Sequence, residues 1–203
     1  MGFFNWIRVE ATGYAGGIWL MWNEKDCTVT YISSNEQILH CQIRDKHSSK
    51  TFFGSFVYGE TNRRKRQTLW QSIKTIAKAT EEARILLGDF NAYRAPRDKR
   101  GGAKPHITSM SDFNECITDS GLLELEDTGN KFTWERGEIQ EKLDWVFGNI
   151  AWDIKFPTSR IYYDLKYKSD HKVIVLSLYS QEKQTTSTTA VPLPSRLGSR
   201  EWF

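Results

Sequence analysis

Four polar groups stand where apolar runs of this chain stop. Asp89 and Asn91 close "RILLGDFN", and Asp144 interrupts "KLDWVFGN". Asp170 and His171 open "SDHKVIVLSL", behind Ser169, and Tyr58 ends "SFVYG". Taken singly, each is ordinary. An Asp at a strand end is commonly a turn or a cap, and a lone His is commonly a surface group. Taken together they form an inventory for attack of water on a phosphate ester. One carboxylate orients or deprotonates the water, and a His paired with a second carboxylate moves a proton or touches the phosphate. Carboxylates hold a hard cation, and neutral donors such as Asn and Tyr meet developing charge.

Elements with rigid ends must carry these groups. Apolar runs or period-two alternation predict strands at 17–22, 27–33, 37–44, 51–59 and 84–90. Further strands are expected in "KFTWERG", "EKLDWVFGN", "RIYYDL" and "KVIVLSLY". Leu69, Ile73, Ile76 and Ala77 recur at helical spacing behind the cap candidates Thr61 and Asn62, so 61–80 reads as an amphipathic helix. A second helix is expected over 109–121, with Gly121 as its stop. Residues 92–108 read as a loop, rich in Gly and Pro. Strands outnumber helices without a regular βαβ series, which indicates an α+β sandwich of layers.

Composition bounds the rest. The 203 residues are 39% hydrophobic and 13% aromatic, enough for one domain with a core. It is expected over 1–180, followed by a disordered Ser/Thr/Pro-rich tail over 181–203. A net charge of +3 neither requires nor opposes a nucleic-acid partner. Cys27, Cys41 and Cys116 show no metal or disulfide spacing and read as reduced thiols of an intracellular protein. No apolar run reaches the ~20 residues of a membrane span, and the first residues lack a secretory pattern.

"LLGDFN", "KLDWVFGN" and "SDHKVIVLSL", in that order, resemble the endonuclease/exonuclease/phosphatase superfamily. More specifically, "FFNWIRVEATGYAGGIWLMWN", "FFGSFVYGETNRRKRQTLW" and "DKRGGAKP" resemble the endonuclease domain of plant LINE-type non-LTR retrotransposons. The resemblance spans about residues 3–178. It implies a four-layer α/β/β/α sandwich of two mainly antiparallel sheets, as in pancreatic deoxyribonuclease, and Mg²⁺-dependent hydrolysis of DNA phosphodiesters. It implies DNA as partner, no membrane, and a nuclear location if the domain functions. By the same resemblance, Asp89 activates the water and Asn91 holds it and the phosphate. His171, oriented by Asp144, contacts the scissile phosphate, and Tyr58 donates to it. Asp170 assists at the metal or leaving-group side. Thr133 is a neutral contact near the site and Ser169 a supporting loop residue. Arg97, Lys99 and Arg100 touch DNA phosphates.

Two elements of that family have no counterpart in this sequence: an opening strand with an active-site Asn, and a strand whose Glu is a principal metal ligand. No reverse transcriptase region follows. The resemblance therefore implies an N-terminally truncated domain, with Asp170 as the remaining metal ligand and activity impaired or absent. Two alternatives stay open: a non-catalytic nucleic-acid-binding remnant or pseudogene product, and another phosphoesterase of the superfamily.

Overall fold

The computed structural model describes residues 5–11, 16–128, 131–164, 166 and 169–179. The tail expected to be disordered lies outside the described residues. In chain order, β1 (Asn5–Val9) and β2 (Ile18–Trp22) form an antiparallel hairpin. Next come β3 (Cys27–Asn35), β4 (Ile38–Asp45), β5 (Thr51–Tyr58), α1 (Arg63–Ala79) and β6 (Arg84–Asp89). A 3₁₀ turn, Pro96–Asp98, precedes β7 (Lys99–Arg100) and α2 (Ile107–Asp119). Short strands β8 (Leu122–Glu124), β9 (Asp127–Thr128), β10 (Trp134–Arg136) and β11 (Ile139–Glu141) lead to β12 (Asp144–Asn149). The described chain ends in α3 (Ile150–Lys155), β13 (Arg160–Asp164) and β14 (Val173–Ser177).

The central sheet has six strands in the order β3-β4-β5-β6-β12-β8. Only β5 and β6 run parallel; the other neighbours are antiparallel. That parallel step needs a crossover, and α1 supplies it. Asn62 caps α1 by accepting from the amides of Arg64 and Lys65. Leu69, Trp70, Ile73 and Ile76 of α1 and Phe113, Cys116 and Ile117 of α2 cover one face of the sheet. There they meet Val57, Leu86, Phe90, Trp145 and Phe147.

The other face carries a second layer of strands. β13 and β14 bring Ile161, Ile174 and Leu176 against Phe52, Ile85 and Val146. The β1–β2 hairpin brings Ile7, Val9, Ile18 and Leu20 against Leu39, Cys41 and Phe56. Period-two alternation therefore serves both layers, while β12 is buried along its whole length. No helix among the described residues is long and apolar enough to cross a membrane.

Candidate active site

The sheet order brings the polar strand ends together. β5 and β6 are parallel, so Tyr58 and Asp89 finish side by side in register. β12 runs the other way, so its first residue, Asp144, lies directly across from Asp89. Gly88 makes this edge possible. Its φ is +138°, and a Cβ there would stand 2.1 Å from the Val57 carbonyl oxygen. The glycine of "LLGDFN" is thus a backbone requirement of the strand end.

Asn91 adopts the left-handed region at φ +48°, a conformation Asn tolerates. Its backbone amide donates to Asp89 Oδ1 at 2.8 Å. Its Nδ2 donates to Asp89 Oδ2 at 2.9 Å and to the Gly59 carbonyl at 2.8 Å. Asp144, 5% exposed, is fixed from the other side. The Thr133 hydroxyl accepts from the amides of Leu143 and Asp144, both at 3.1 Å. Thr133 itself has no exposed surface. In this structure its hydroxyl supports the Leu143–Asp144 backbone.

His171 arrives from the second layer, on the loop before β14. The loop is tied to β10 by the Lys172 amide on the Thr133 carbonyl at 2.8 Å and by the Trp134–His171 bridge. Ser169 Oγ accepts from the His171 amide at 3.0 Å. His171 Nδ1 then meets Asp144 Oδ2 at 2.9 Å, and Nε2 faces Asp89 Oδ2 at 3.9 Å. Hydrogen bonding to the carboxylate assigns the proton on Nδ1 and leaves Nε2 toward the open end of the sheet.

Two carboxylates opposite each other repel. Burial, followed by the charge of Asp144, pushes Asp89 up to about 7, against the pull of Asn91, His171 and Arg66. Burial works to lower His171, but the hydrogen bond to Asp144 and the charges of Asp144, Asp89 and Asp170 outweigh it and raise the group. Burial and the neighbouring Asp89 and Glu60 charges raise Tyr58, so its hydroxyl stays a donor. The site therefore holds a base near neutrality beside an imidazole biased toward the cation, groups suited to proton transfer at pH 7.

The remaining expected residues are placed differently. Asp170 is exposed, and its Oδ2 accepts from Trp134 Nε1 at 2.8 Å, which holds the carboxyl below its usual range. Lys99 is mostly buried and paired with Glu141, while Arg97 and Arg100 are exposed on the loop and on β7. Arg66 escaped the sequence reading. It is 5% exposed, is held by the Thr61 carbonyl and Ser109 Oγ, and is the helical cation whose charge reaches Asp89.

The group Asp89, Asp144 and His171, with ligand atoms all within 4.8 Å, is a possible metal cluster among the described residues. A hard cation takes oxygen ligands. Asp144 Oδ2 is committed to His171 and Asp170 Oδ2 to Trp134. Among the described residues the Asp89 carboxylate accepts from Asn91 alone, on both oxygens, and its raised pKa marks negative charge that a cation would relieve. The donors that could hold a divalent ion are thus the carboxylates of Asp89 and Asp144 with the His171 ring beside them.

An α+β fold of mixed and antiparallel sheets with few helices matches the deoxyribonuclease-type fold of the endonuclease/exonuclease/phosphatase proteins. Among solved structures, the chain is similar to the endonuclease domain of TRAS1, a telomere-specific non-LTR retrotransposon. The identity is 16% over 87% of this chain and 81% of that one, with a TM-score of 0.67. It is also similar to a mannosyl-6-phosphatase of Bacteroides thetaiotaomicron, at 14% identity over 85% and 76% of the two chains, with a TM-score of 0.50. A humanised D. rerio TDP2 matches at 13% identity over 83% and 74%, again with a TM-score of 0.50. No family model matches the sequence, and no curated protein does.

Proposed function

We propose that this chain is a phosphodiester hydrolase acting on DNA, of the kind found in plant LINE-type retrotransposons. The observation that carries the reading is the Asp144–His171 pair aimed at Asp89 across one sheet end. Asp89 takes a proton from the attacking water, and Asn91 holds the carboxylate in place for it. His171, charged and steadied by Asp144, donates from Nε2 to the phosphate. Tyr58, ending the neighbouring strand, is a neutral donor on the same side. A divalent ion such as Mg²⁺, when held by Asp89, would supply charge neutralisation at the phosphate oxygens. Arg97 and Arg100 offer exposed cations to the flanking backbone.

The candidate carboxylates are already hydrogen-bonded to protein groups and would hold Mg²⁺ weakly, so turnover is slow and needs an excess of the ion. A plasmid-nicking assay with titrated Mg²⁺ tests this. We expect weak nicking that appears only at high millimolar Mg²⁺ and disappears in Asp89→Ala and His171→Ala. Robust nicking at micromolar Mg²⁺ would remove the impairment. Salt-dependent DNA binding with no cleavage at any concentration would leave a non-catalytic binding domain. The likeness to a sugar phosphatase supports a second reading, phosphomonoester hydrolysis, which phosphate release from a sugar phosphate without DNA nicking would select.

A further inference from the structure

Arg84 is a buried cation with no acidic partner among the described residues. It is 6% exposed. Among the described residues its guanidinium makes one hydrogen bond, from Nη2 to the Ser120 carbonyl at 3.3 Å, and its buried Nε makes none. The negative C-terminal end of α2 offsets part of that charge. A guanidinium is ordinarily retained inside a protein with a carboxylate or phosphate on its fork.

The side chain lines a depression of about 410 Å³ at the end of the sheet remote from Asp89. Arg84 opens β6 and Asp89 closes it, so the two lie about 17 Å apart along the strand, at ~3.3 Å per residue. The walls are apolar: Ala77 of α1 and Ile150, Ala151 and Ile154 of α3. Ile150 and Ile154 share one face of α3 and are 67% and 76% exposed. Asn149 braces the floor, its Oδ1 accepting from the backbone amides of Arg84 and Trp152. The other charged group in the lining is Glu81, on the exposed rim.

We propose that this depression docks a peptide carboxylate carried beside an aliphatic or aromatic side chain. Arg84 binds the carboxylate through its fork, and Ile150 and Ile154 cover the side chain. A single cation with an acid on the rim suits one negative charge on an apolar body. A nucleic-acid strand, with its regular array of phosphates, would be met by several cations and no Glu81. The assignment is independent of the phosphodiester reading.

The test is an isoleucine-methyl NMR titration of the full chain with N-acetyl-phenylalanine, its amide, inorganic phosphate and a dinucleotide. The acid should move the Ile150 and Ile154 methyls. The amide should bind about tenfold more weakly or worse, the loss expected for a hydrogen bond to a charged group. Arg84→Gln should lose the same factor. Ile154→Glu, at an exposed position that leaves the core intact, should do so as well, and Glu81→Gln should tighten binding. Equal shifts from acid and amide, stronger binding of phosphate or dinucleotide, or no methyl shift with the acid would each overturn the proposal.

Discussion

Asn91 holds both oxygens of Asp89, one through its backbone amide at 2.8 Å and the other through Nδ2 at 2.9 Å. Asn91→Gly keeps the left-handed backbone and the first bond but deletes the second. If Asp89 is the base, the freed carboxylate swings and the nicking rate falls by roughly 10–100-fold, the scale of an ångström of misplacement. The unfolding midpoint should move little. Rate and melting curve, measured on the same preparation, check the pair of outcomes.

The ionisation of this site opposes stability near neutrality. Asp89 is raised, so between pH 4 and 7 the native state binds more protons than the unfolded chain, and stability falls as pH rises through that window. His171 is raised from 6.5, so its contribution is full below that value and is lost as pH passes its folded pKa. Both act in the same direction. In metal-free buffer the Tm should decline from pH 5.5 to 8. Asp89→Asn should flatten the decline and raise the Tm at pH 8, while abolishing activity. Calorimetry across pH measures both.

A divalent ion held by Asp89 stabilises the fold in proportion to its occupancy. Mg²⁺ in the millimolar range should raise the Tm of the native chain at pH 8 and leave Asp89→Asn unmoved. An equal rise in both proteins would place the ion elsewhere.

Thr133→Val removes the acceptor of two buried amides, those of Leu143 and Asp144. Each orphaned donor costs about 1–3 kcal/mol, so urea unfolding should show a loss of roughly 2–4 kcal/mol. The His171 pKa should also fall as Asp144 loses its support, which NMR titration of the imidazole would reveal. Thr133→Ser should restore both.

Gly88→Ala inserts a methyl group 2.1 Å from the Val57 carbonyl and forces φ +138° on an alanine. The β5–β6 pairing cannot absorb it. The expected outcome is a loss above ~3 kcal/mol, seen as insoluble or molten protein by circular dichroism.

Much of this was legible because the signals are local. Asn62 and the Leu69–Ile73–Ile76 spacing announce α1, and "GDFN" marks the end of β6. Elements without local periodicity were not readable. α3 leaves Ile150 and Ile154 in solvent, so its residues show no amphipathic stripe. β1 was read only as part of a family-like segment, although its Ile7 and Val9 alternate inward. Thr133 is expected near the site only through the family resemblance of "KFTW". Its burial became visible only when β12 was seen passing beneath its hydroxyl. The partnership of Asp170 with Trp134 Nε1 spans 36 residues, and no motif announces it.

Asp89 and Asp144 belong to the central sheet, whereas His171 is delivered by the layer laid over it. The candidate site is therefore a logical conjunction: it exists only while both layers are seated. β13 and β14 rest on buried Ile161 and on partly buried Ile174 and Leu176, a shallower footing than the helix side has. Local opening of that layer silences the site while the central sheet survives. Under rising temperature or denaturant, activity should fade before the bulk of the ellipticity does.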